Sequence, residues 1–446
     1  MNAFTARLKP YISDWDAFYG ALGKRSAKAF RVTGSRGTPY LNEIGQLNDF
    51  TPCPNINNTY ILKDCKSKMS DTVSFQTGGI YILNPSSVLP AAILNSLMPD
   101  NPVILDMSAA PGGKTVILSD LTERNGLIAA NEPSASRLKA LHFNLEKYGA
   151  WNVKTMQYDG RILPKYYADT FDGVLLDAPC SHENQMLLNK KINSRWSLKY
   201  VNEMSALQKS LILAAFDCLR QDGSLVYSTC TFSPEENEGV ILHLLDNRDN
   251  AELINLNSSY SKGISGIYTV DSAVMRIFPH ITPYDGFFVA AVRKAVSSSA
   301  ETRQCDKYTK KDSRYRKLIE EHFTAFPENG LLTTKNTDIY LESAISLKGN
   351  FRRTGMKFAK TYGDKTELTS QSVWEFGALI RPELKTDVSL KTAKEYLKGF
   401  DTQRTSEYDG RIFYYGGIPV GMVKIIGNTY KNKLNRYFLY GKNIEW

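Results

Sequence analysis

The stretch Val103-Ile104-Leu105-Asp106-Met107-Ser108-Ala109-Ala110-Pro111-Gly112-Gly113-Lys114-Thr115 decides the fold. Val103 to Met107 is an apolar run of strand length that opens into a glycine-rich turn, and Val116 to Leu121 beyond it has helical character. Strand, tight turn and helix in that order begin a βαβ unit. The pattern repeats downstream. Leu127 to Asn131 reads as a second strand ending at Glu132, and Ser136 to Tyr148 as a helix with Leu138, Leu141 and Leu145 on one face. Further strands are expected at Val153 to Tyr158, Gly173 to Leu176 and Ser224 to Ser228. Between the last two, Glu203 to Leu219 reads as a helix, with Gly223 as its stop. Phe278 and the run Phe287 to Val292 complete the sheet. Strict alternation over residues 81–295 implies an α/β, doubly wound, Rossmann-like sheet that binds ligands beyond the carboxyl ends of its strands.

Two flanks surround this segment. Residues 1–80 are mixed in character, and Val296 to Thr302 (Val-Ser-Ser-Ser-Ala-Glu-Thr) reads as a linker. The run Arg411-Ile-Phe-Tyr-Tyr-Gly416-Gly417-Ile-Pro-Val-Gly421 reads as a β-hairpin with a Gly-Gly turn, part of a small β-rich terminal module. The expected division is 1–80, 81–295, an intermediate basic α/β region over 303–380, and 381–446. The net charge of +9 lies in the flanks: residues 1–80 carry +4, residues 81–300 carry −3, and residues 301–446 carry +8. Basic flanks around a near-neutral centre suit a polyanionic partner. Candidate phosphate contacts are Arg352, Arg353, Lys357, Lys360, Lys431, Lys433 and Arg436, with Tyr430 or Tyr437 for base stacking. Phe413 and Tyr415 read as core of the β-module. No apolar run has membrane-spanning length and no signal-peptide pattern opens the chain, so a cytoplasmic protein, a monomer without membrane contact, is expected. Six cysteines without a C-x-x-C pair argue against a disulfide framework or a structural metal site.

The turn after the first strand resembles the end of a phosphate-binding P-loop at Gly113-Lys114-Thr115, but Ser108 stands where that loop needs glycine. A dinucleotide G-x-G-x-x-G pattern is also absent. A non-phosphorylated nucleoside fits better. Glu132 ends the second strand, where a carboxylate takes both ribose hydroxyls, and Asp159 follows the third, where one accepts from an adenine amino group. Each acid alone would read as a solvated loop residue. Together with the loop, and without a basic cradle, they indicate S-adenosylmethionine.

Two thiols stand at strand ends: Cys180 in Leu175-Leu-Asp177-Ala-Pro-Cys180-Ser181, and Cys230 in Leu225-Val-Tyr-Ser228-Thr-Cys230. A cysteine where a buried strand opens into a polar turn reaches a substrate from a rigid backbone. Cys218, inside its helix, reads as a small buried hydrophobe.

With Asp106 to Thr115, Asp177-Ala-Pro-Cys180-Ser181 and Ser228-Thr-Cys230-Thr-Phe-Ser-Pro-Glu-Glu-Asn237 in order, the chain closely resembles the Nop/Sun family of RNA cytosine-5 methyltransferases. The arrangement of its parts is similar to the bacterial RsmF (YebU) subgroup, which modifies small-subunit ribosomal RNA. The resemblance is strong from Gly79 to about Lys294 and weaker in the tail, at Pro419-Val-Gly421 and Lys424-Ile-Ile-Gly427. It implies a PUA-like RNA-binding module over 381–446 and a cofactor site made of Ser108, Ala109, Ala110, Pro111, Gly112, Gly113, Lys114, Glu132, Asp159 and Asp177. Arg137 matches a family arginine near that site whose role stays open.

Cytosine C5 is a poor nucleophile, so a thiolate must first add to C6 to make C5 enamine-like. Hydrogen bonding or protonation at N3 assists, and Asp177 is placed to provide it if its proton is shared. Spacing alone leaves open which thiol attacks. The resemblance assigns attack to Cys230 and product release to Cys180.

Departures from the family pattern lie where RNA approaches. His182-Glu183-Asn184 replaces a glycine-rich turn, Thr33 follows Arg31-Val32, and Leu83-Asn84 precedes Ser86-Ser87. His182 reads as a solvated loop residue, with a proton shuttle as the alternative. The expected reaction is C5 methylation of 16S rRNA, with tRNA as the alternative substrate. A non-catalytic RNA-binding scaffold and a P-loop nucleotide hydrolase are the more distant rivals.

Overall fold

The apolar run that opens the sequence reading forms strand β1 (Val103–Asp106), the central strand of a nine-stranded sheet in a computed structural model of the chain. The structure describes residues 3–34, 36–54, 56–64, 66–256, 273–296, 315–363, 365–404 and 410–439. Of the expected linker, Val296 to Thr302, all but Val296 lies outside them.

The other strands of this sheet are β2 (Leu127–Asn131), β3 (Val153–Met156), β4 (Phe171–Asp177), β5 (Leu219–Thr229), β6 (Ala251–Ile254), β7 (Met275–Ile277), β8 (Phe287–Lys294) and β9 (Arg353–Thr354). Their order is β6-β8-β5-β4-β1-β2-β3-β9, with β7 paired to β8. The run from β3 to β5 is parallel, whereas β8 enters antiparallel beside β5. Crossover helices α1 (Gly113–Leu121), α2 (Ala135–Lys147) and α3 (Leu198–Cys218) cover the faces, and α4 (Glu238–Asn247) follows β5. Because side chains alternate along a strand, each strand feeds two cores. Leu105, Leu176 and Tyr227 pack on one face with Ile212 and Phe216 of α3. Ile104, Leu175 and Val226 pack on the other with Leu118 of α1 and Leu141 of α2. Cys218 is fully buried, as its helical setting implied.

The expected stop at Gly223 is corrected. Helix α3 begins at Leu198 and ends at Cys218, and Leu219 starts β5 at once, so that Gly223 lies inside the strand. A Cβ there would meet the Arg220 and Asp172 carbonyl oxygens at 2.9 and 3.0 Å, so the glycine permits close backbone approach where the β4–β5 register shifts.

The flanks form three further sheets among the described residues. Ala29–Val32, Asp49–Pro52, Thr59–Asp64 and Ile80–Leu83 make an antiparallel sheet that precedes β1 in the chain. Gly330–Lys335, Asp338–Ser343, Met356–Tyr362 and Lys365–Leu368 make a second, and the short strand β9 docks that region antiparallel against β3. The third holds the expected hairpin, Ile412–Tyr415 and Ile418–Ile426, turned at Gly416 and Gly417 with φ of 53° and 84°. One apolar cluster runs through all three flanking regions, from Phe30 and Tyr40 through Phe358 and Trp374 to Phe413 and Val423. Ion pairs extend the junction: half-buried Glu375 takes Arg36 at 2.5 Å and Arg124 at 3.1 Å.

The basic tail is less free than its composition suggests. Arg353 pairs with Glu146, Lys357 with Asp338, Lys431 with Asp401 and Lys433 with Glu367, at 2.7 to 2.9 Å. Tyr430 is corrected as a stacking candidate, since it is only 2% exposed and packs edge-on against buried Phe413. Tyr437 keeps half its surface, beside Phe143.

Candidate active site

The loops that follow β1, β2, β3, β4 and β5 converge at the carboxyl edge of the sheet. Asn131, at the end of β2, ties three of them: its amide donates to the Met107 and Tyr158 carbonyls at 3.1 and 3.0 Å and accepts from the Tyr158 N–H at 2.9 Å. The sequence reading missed this residue, because an asparagine at a strand end reads as a turn former.

The loop Ser108 to Gly113 leads into the N-terminus of α1. Gly112 has φ of 110°, and a Cβ on it would sit 2.9 Å from Leu141 Cδ1. Glycine therefore lets the loop lie flush on α2. A cavity beside it is lined by Tyr81, Leu83, Ser108, Ala110, Lys114 and Asp177. Glu132 is fully buried; its Oε1 accepts from the Ser134 N–H at 2.9 Å, whereas Oε2 has no hydrogen-bond partner, with Arg137 Nη1 3.2 Å away. The Arg137 ion pair leaves that buried oxygen without a hydrogen bond, an unmet acceptor that a ribose diol would satisfy. The donor set thus fits a nucleoside. Arg137 also donates to the Ala110 carbonyl at 2.6 Å, bracing the loop against Glu132. Asp159 caps the turn Gly160–Ile162 and holds Arg161 at 2.5 Å, which draws its carboxyl below the ordinary range.

Asp106 is buried beneath the loop and accepts from Thr115 Oγ1 at 2.6 Å, while its other oxygen has no partner. Burial raises its pKa to about 7, against the Thr115 bond and with help from the Asp177 charge. A carboxyl whose folded pKa is raised loses stability as pH rises from its ordinary value through the folded one. Asp106→Asn is therefore expected to raise the melting temperature at pH 8, with a gain on the order of 1 to 4 kcal/mol that vanishes near pH 4. Melting curves of both proteins across that range check it, and an equal difference at both ends would count against the assignment.

Asp177, at the end of β4, accepts from Lys114 Nζ at 2.7 Å and from Ser228 Oγ at 2.8 Å. Burial alone would lower the Lys114 pKa, but the Asp177 carboxylate outweighs it and holds the ammonium above its ordinary value. Ser228 was not singled out in the sequence; its place two residues before Cys230 on the same strand was the available signal.

The structure brings the two thiols together. Cys180 Sγ and Cys230 Sγ are 3.2 Å apart; Cys180 is 2% exposed, and Cys230 is half-buried. The contact with Cys230, together with burial, raises the Cys180 pKa well above its ordinary value. Two thiolates at this distance would repel, so Cys180 stays protonated and serves as the donor.

Two buried carboxylates set the loops around the thiols. Glu183 accepts from Thr231 Oγ1, the Phe232 N–H, Ser233 Oγ and Trp196 Nε1 at 2.7 to 2.9 Å. Glu236 accepts from the Ser181 N–H at 3.0 Å and Gln208 Nε2 at 2.9 Å, and burial raises its pKa to about 7. Acids in loops read as solvated, so only their packing reveals this role. Between them, His182 is exposed, as a solvated loop residue would be, and its Nδ1 also lies 3.0 Å from Cys230 Sγ and 4.0 Å from Cys180 Sγ, the contact that the proton-shuttle alternative needs.

The departures at the approach to the site are structural in their contacts. Thr33 is buried and donates to the Gly78 carbonyl at 2.7 Å, and Asn84 Oδ1 accepts from the Ser86 N–H, Ser86 Oγ and the Asp285 N–H at 2.8 to 3.1 Å.

Comparison with known proteins agrees with this arrangement. The model of the family described as 16S rRNA methyltransferase RsmB/F matches residues 92–293, and that of the methyltransferase RsmF PUA domain matches residues 383–440. A ribosomal RNA small subunit methyltransferase F from Vibrio vulnificus is 32% identical over 397 residues, which cover 85% of this chain and 83% of that protein. The protein of the same name from Shewanella amazonensis is 32% identical over 375 residues, 80% of this chain and 79% of its own. Among solved structures, a methyltransferase homologue from Pyrococcus horikoshii aligns at a TM-score of 0.56 and 28% identity, over 63% of this chain and 91% of that one. NSun6 from the same organism aligns at 0.55 and 22% identity, over 64% and 95% of the two chains, a likeness of fold. No helix among the described residues is long and apolar enough to cross a membrane. A Rossmann-like sheet with paired thiols at its carboxyl edge, followed by a PUA-type module, thus belongs to the RsmF family of small-subunit ribosomal RNA methyltransferases.

Proposed function

We propose that this chain methylates C5 of a cytosine in small-subunit ribosomal RNA through a covalent adduct between Cys230 and C6. The observation that carries the reading is the 3.2 Å approach of two thiols from adjacent strand ends, beside an Asp–Lys pair and a nucleoside-shaped loop. S-adenosylmethionine, when bound, supplies the electrophilic methyl group. Ser108 to Lys114 would hold it by the loop backbone, Glu132 by the ribose, Asp159 by the adenine amino group, and Asp177 from the β4 side; Arg137 would brace the loop.

Cys230, the more exposed thiol, adds to C6. Asp177 hydrogen-bonds the cytosine at N3, and the proton that this requires is shared with the Lys114 ammonium, 2.7 Å away. Cys180 relays the C5 proton outward, so that the C5=C6 bond re-forms and the S–C6 bond breaks. Residues 1–80, 303–380 and 381–446 are assigned to RNA binding around the catalytic segment 81–295, their shared apolar cluster holding them in fixed relation. The enzyme would act in the cytoplasm, as a monomer.

Methyl transfer to 16S rRNA, naked and in assembled 30S subunits, is the direct test, with bisulfite mapping in cells that have and lack the gene. One 16S cytosine or a few should lose modification in the deletion strain. Loss confined to tRNA would overturn the choice of RNA.

A further inference from the structure

We propose that His182 is a catalytic residue, the base that takes the Cys230 proton and holds the sulfur as a thiolate–imidazolium pair. The inference rests on the reading of Cys230 as the nucleophile. Three observations converge on it.

The first is contact: Nδ1 lies 3.0 Å from Cys230 Sγ, within hydrogen-bond reach of a thiol. The second is backbone. His182 has φ of 56° and ψ of 39°, the left-handed region that glycine enters freely and a residue with a Cβ enters at a cost. A non-glycine residue held there marks a constraint worth explaining. The third is anchoring on both sides. Ser181 is tied through its N–H to buried Glu236, and Glu183 is tied to four donors on the Cys230 loop and Trp196. The Asn184 N–H also donates to the Cys230 carbonyl at 3.2 Å. The imidazole is thus carried on a backbone registered to the thiol it faces, on a residue that is exposed as a whole.

The charges around the ring favour a proton there. The largest cause that raises the His182 pKa, against burial, is negative charge on the neighbouring Cys180 sulfur; since Cys180 stays protonated, the charge of the thiol pair falls on Cys230, whose Sγ is nearer Nδ1 at 3.0 Å, and the Asp177 and Glu236 carboxylates add to the rise. On the sulfur side, the Lys114 ammonium also interacts with Cys230. Nδ1 must be the unprotonated nitrogen before transfer, with the proton of the neutral ring on Nε2.

The step balances as follows. The S–H proton of Cys230 passes to Nδ1, and the sulfur pair forms the S–C6 bond as the C5=C6 pair moves to C5, which would take the methyl group of bound S-adenosylmethionine, the pair of the broken S–CH3 bond staying on the donor's sulfur. The C5 proton passes to Cys180 Sγ as the S–H proton already there passes on to water; the C5–H electron pair restores C5=C6 and the S–C6 bond breaks. The leaving sulfur recovers the proton held on His182. No oxidant or further reactant enters.

The test measures alkylation of Cys230 by iodoacetamide across pH in the full-length protein, read by peptide mass spectrometry, in wild type, His182→Gly and His182→Gln. Wild type should keep a reactive plateau on the acid side, and both variants should lose it, their alkylation rising only toward the ordinary thiol range, about one pH unit or more higher. Glycine suits the left-handed backbone, so His182→Gly should melt no lower than wild type, which separates loss of the base from unfolding. The acid limb of kcat for RNA methylation should move the same way. An unchanged alkylation profile in His182→Gly would overturn the role of His182. Covalent trapping that survives Cys230→Ala would instead overturn the nucleophile assignment beneath it.

Discussion

Cys230→Ala is expected to lower methyl transfer by about 10^4-fold or more and to abolish covalent trapping of RNA carrying 5-fluorocytosine at the target. The prediction follows from accessibility as much as from the family motif. β5 runs eleven residues, the last seven buried, to Thr229, whose Oγ1 donates to Asn237 Oδ1 at 2.6 Å, and Cys230 is the first residue past that fixed end. It is half-buried, whereas Cys180 is almost sealed. A nucleophile must meet its substrate, so the sealed thiol is the poorer candidate. Fluorine at C5 cannot leave as the proton does, and an adduct made by an intact nucleophile therefore persists. A denaturing gel on which the alanine variant still carries labelled RNA would contradict the assignment.

Cys180→Ala is expected to lower turnover by about 10^2- to 10^4-fold, the usual range for a lost proton-transfer group, while a covalent enzyme–RNA adduct accumulates on unmodified cytosine. The attacking thiol remains, so the first half of the reaction proceeds and the second stalls. The raised pKa of Cys180, caused first by its contact with Cys230, keeps it as the neutral member of the pair. A denaturing gel of the variant with natural RNA reads the adduct directly. If Cys230→Ala accumulates it and Cys180→Ala abolishes trapping, the roles are exchanged.

Much of the fold was legible because its signals are local. Short apolar runs bounded by glycine-rich turns, with helical spacing between them, located β1 to β5 and α2 to within a few residues, and Gly416-Gly417 marked the terminal hairpin. The boundary at Gly223 was misread because helix and strand abut without a turn, and the glycine serves sheet packing instead. Tyr430 was misread for a related reason: an aromatic residue among lysines looks like a nucleic-acid surface until the sheet shows which face it occupies.

The chain's own residues determined the α/β class, the loop at Ser108 to Lys114, and the presence of two thiols at strand ends, since each depends on neighbours within a few positions. The tertiary structure alone decided how those groups meet. Cys180 and Cys230 are fifty positions apart and touch only because β4 and β5 pair in parallel register, Leu176 opposite Tyr227 and Asp177 opposite Ser228. His182 changes from a solvated loop residue to a partner of Cys230 because Glu183 and Glu236, buried at long range, fix the loop that carries it. Local composition cannot report such distances. They arise from strand pairing and from the cost of burying a carboxylate without donors, which only the folded chain can meet.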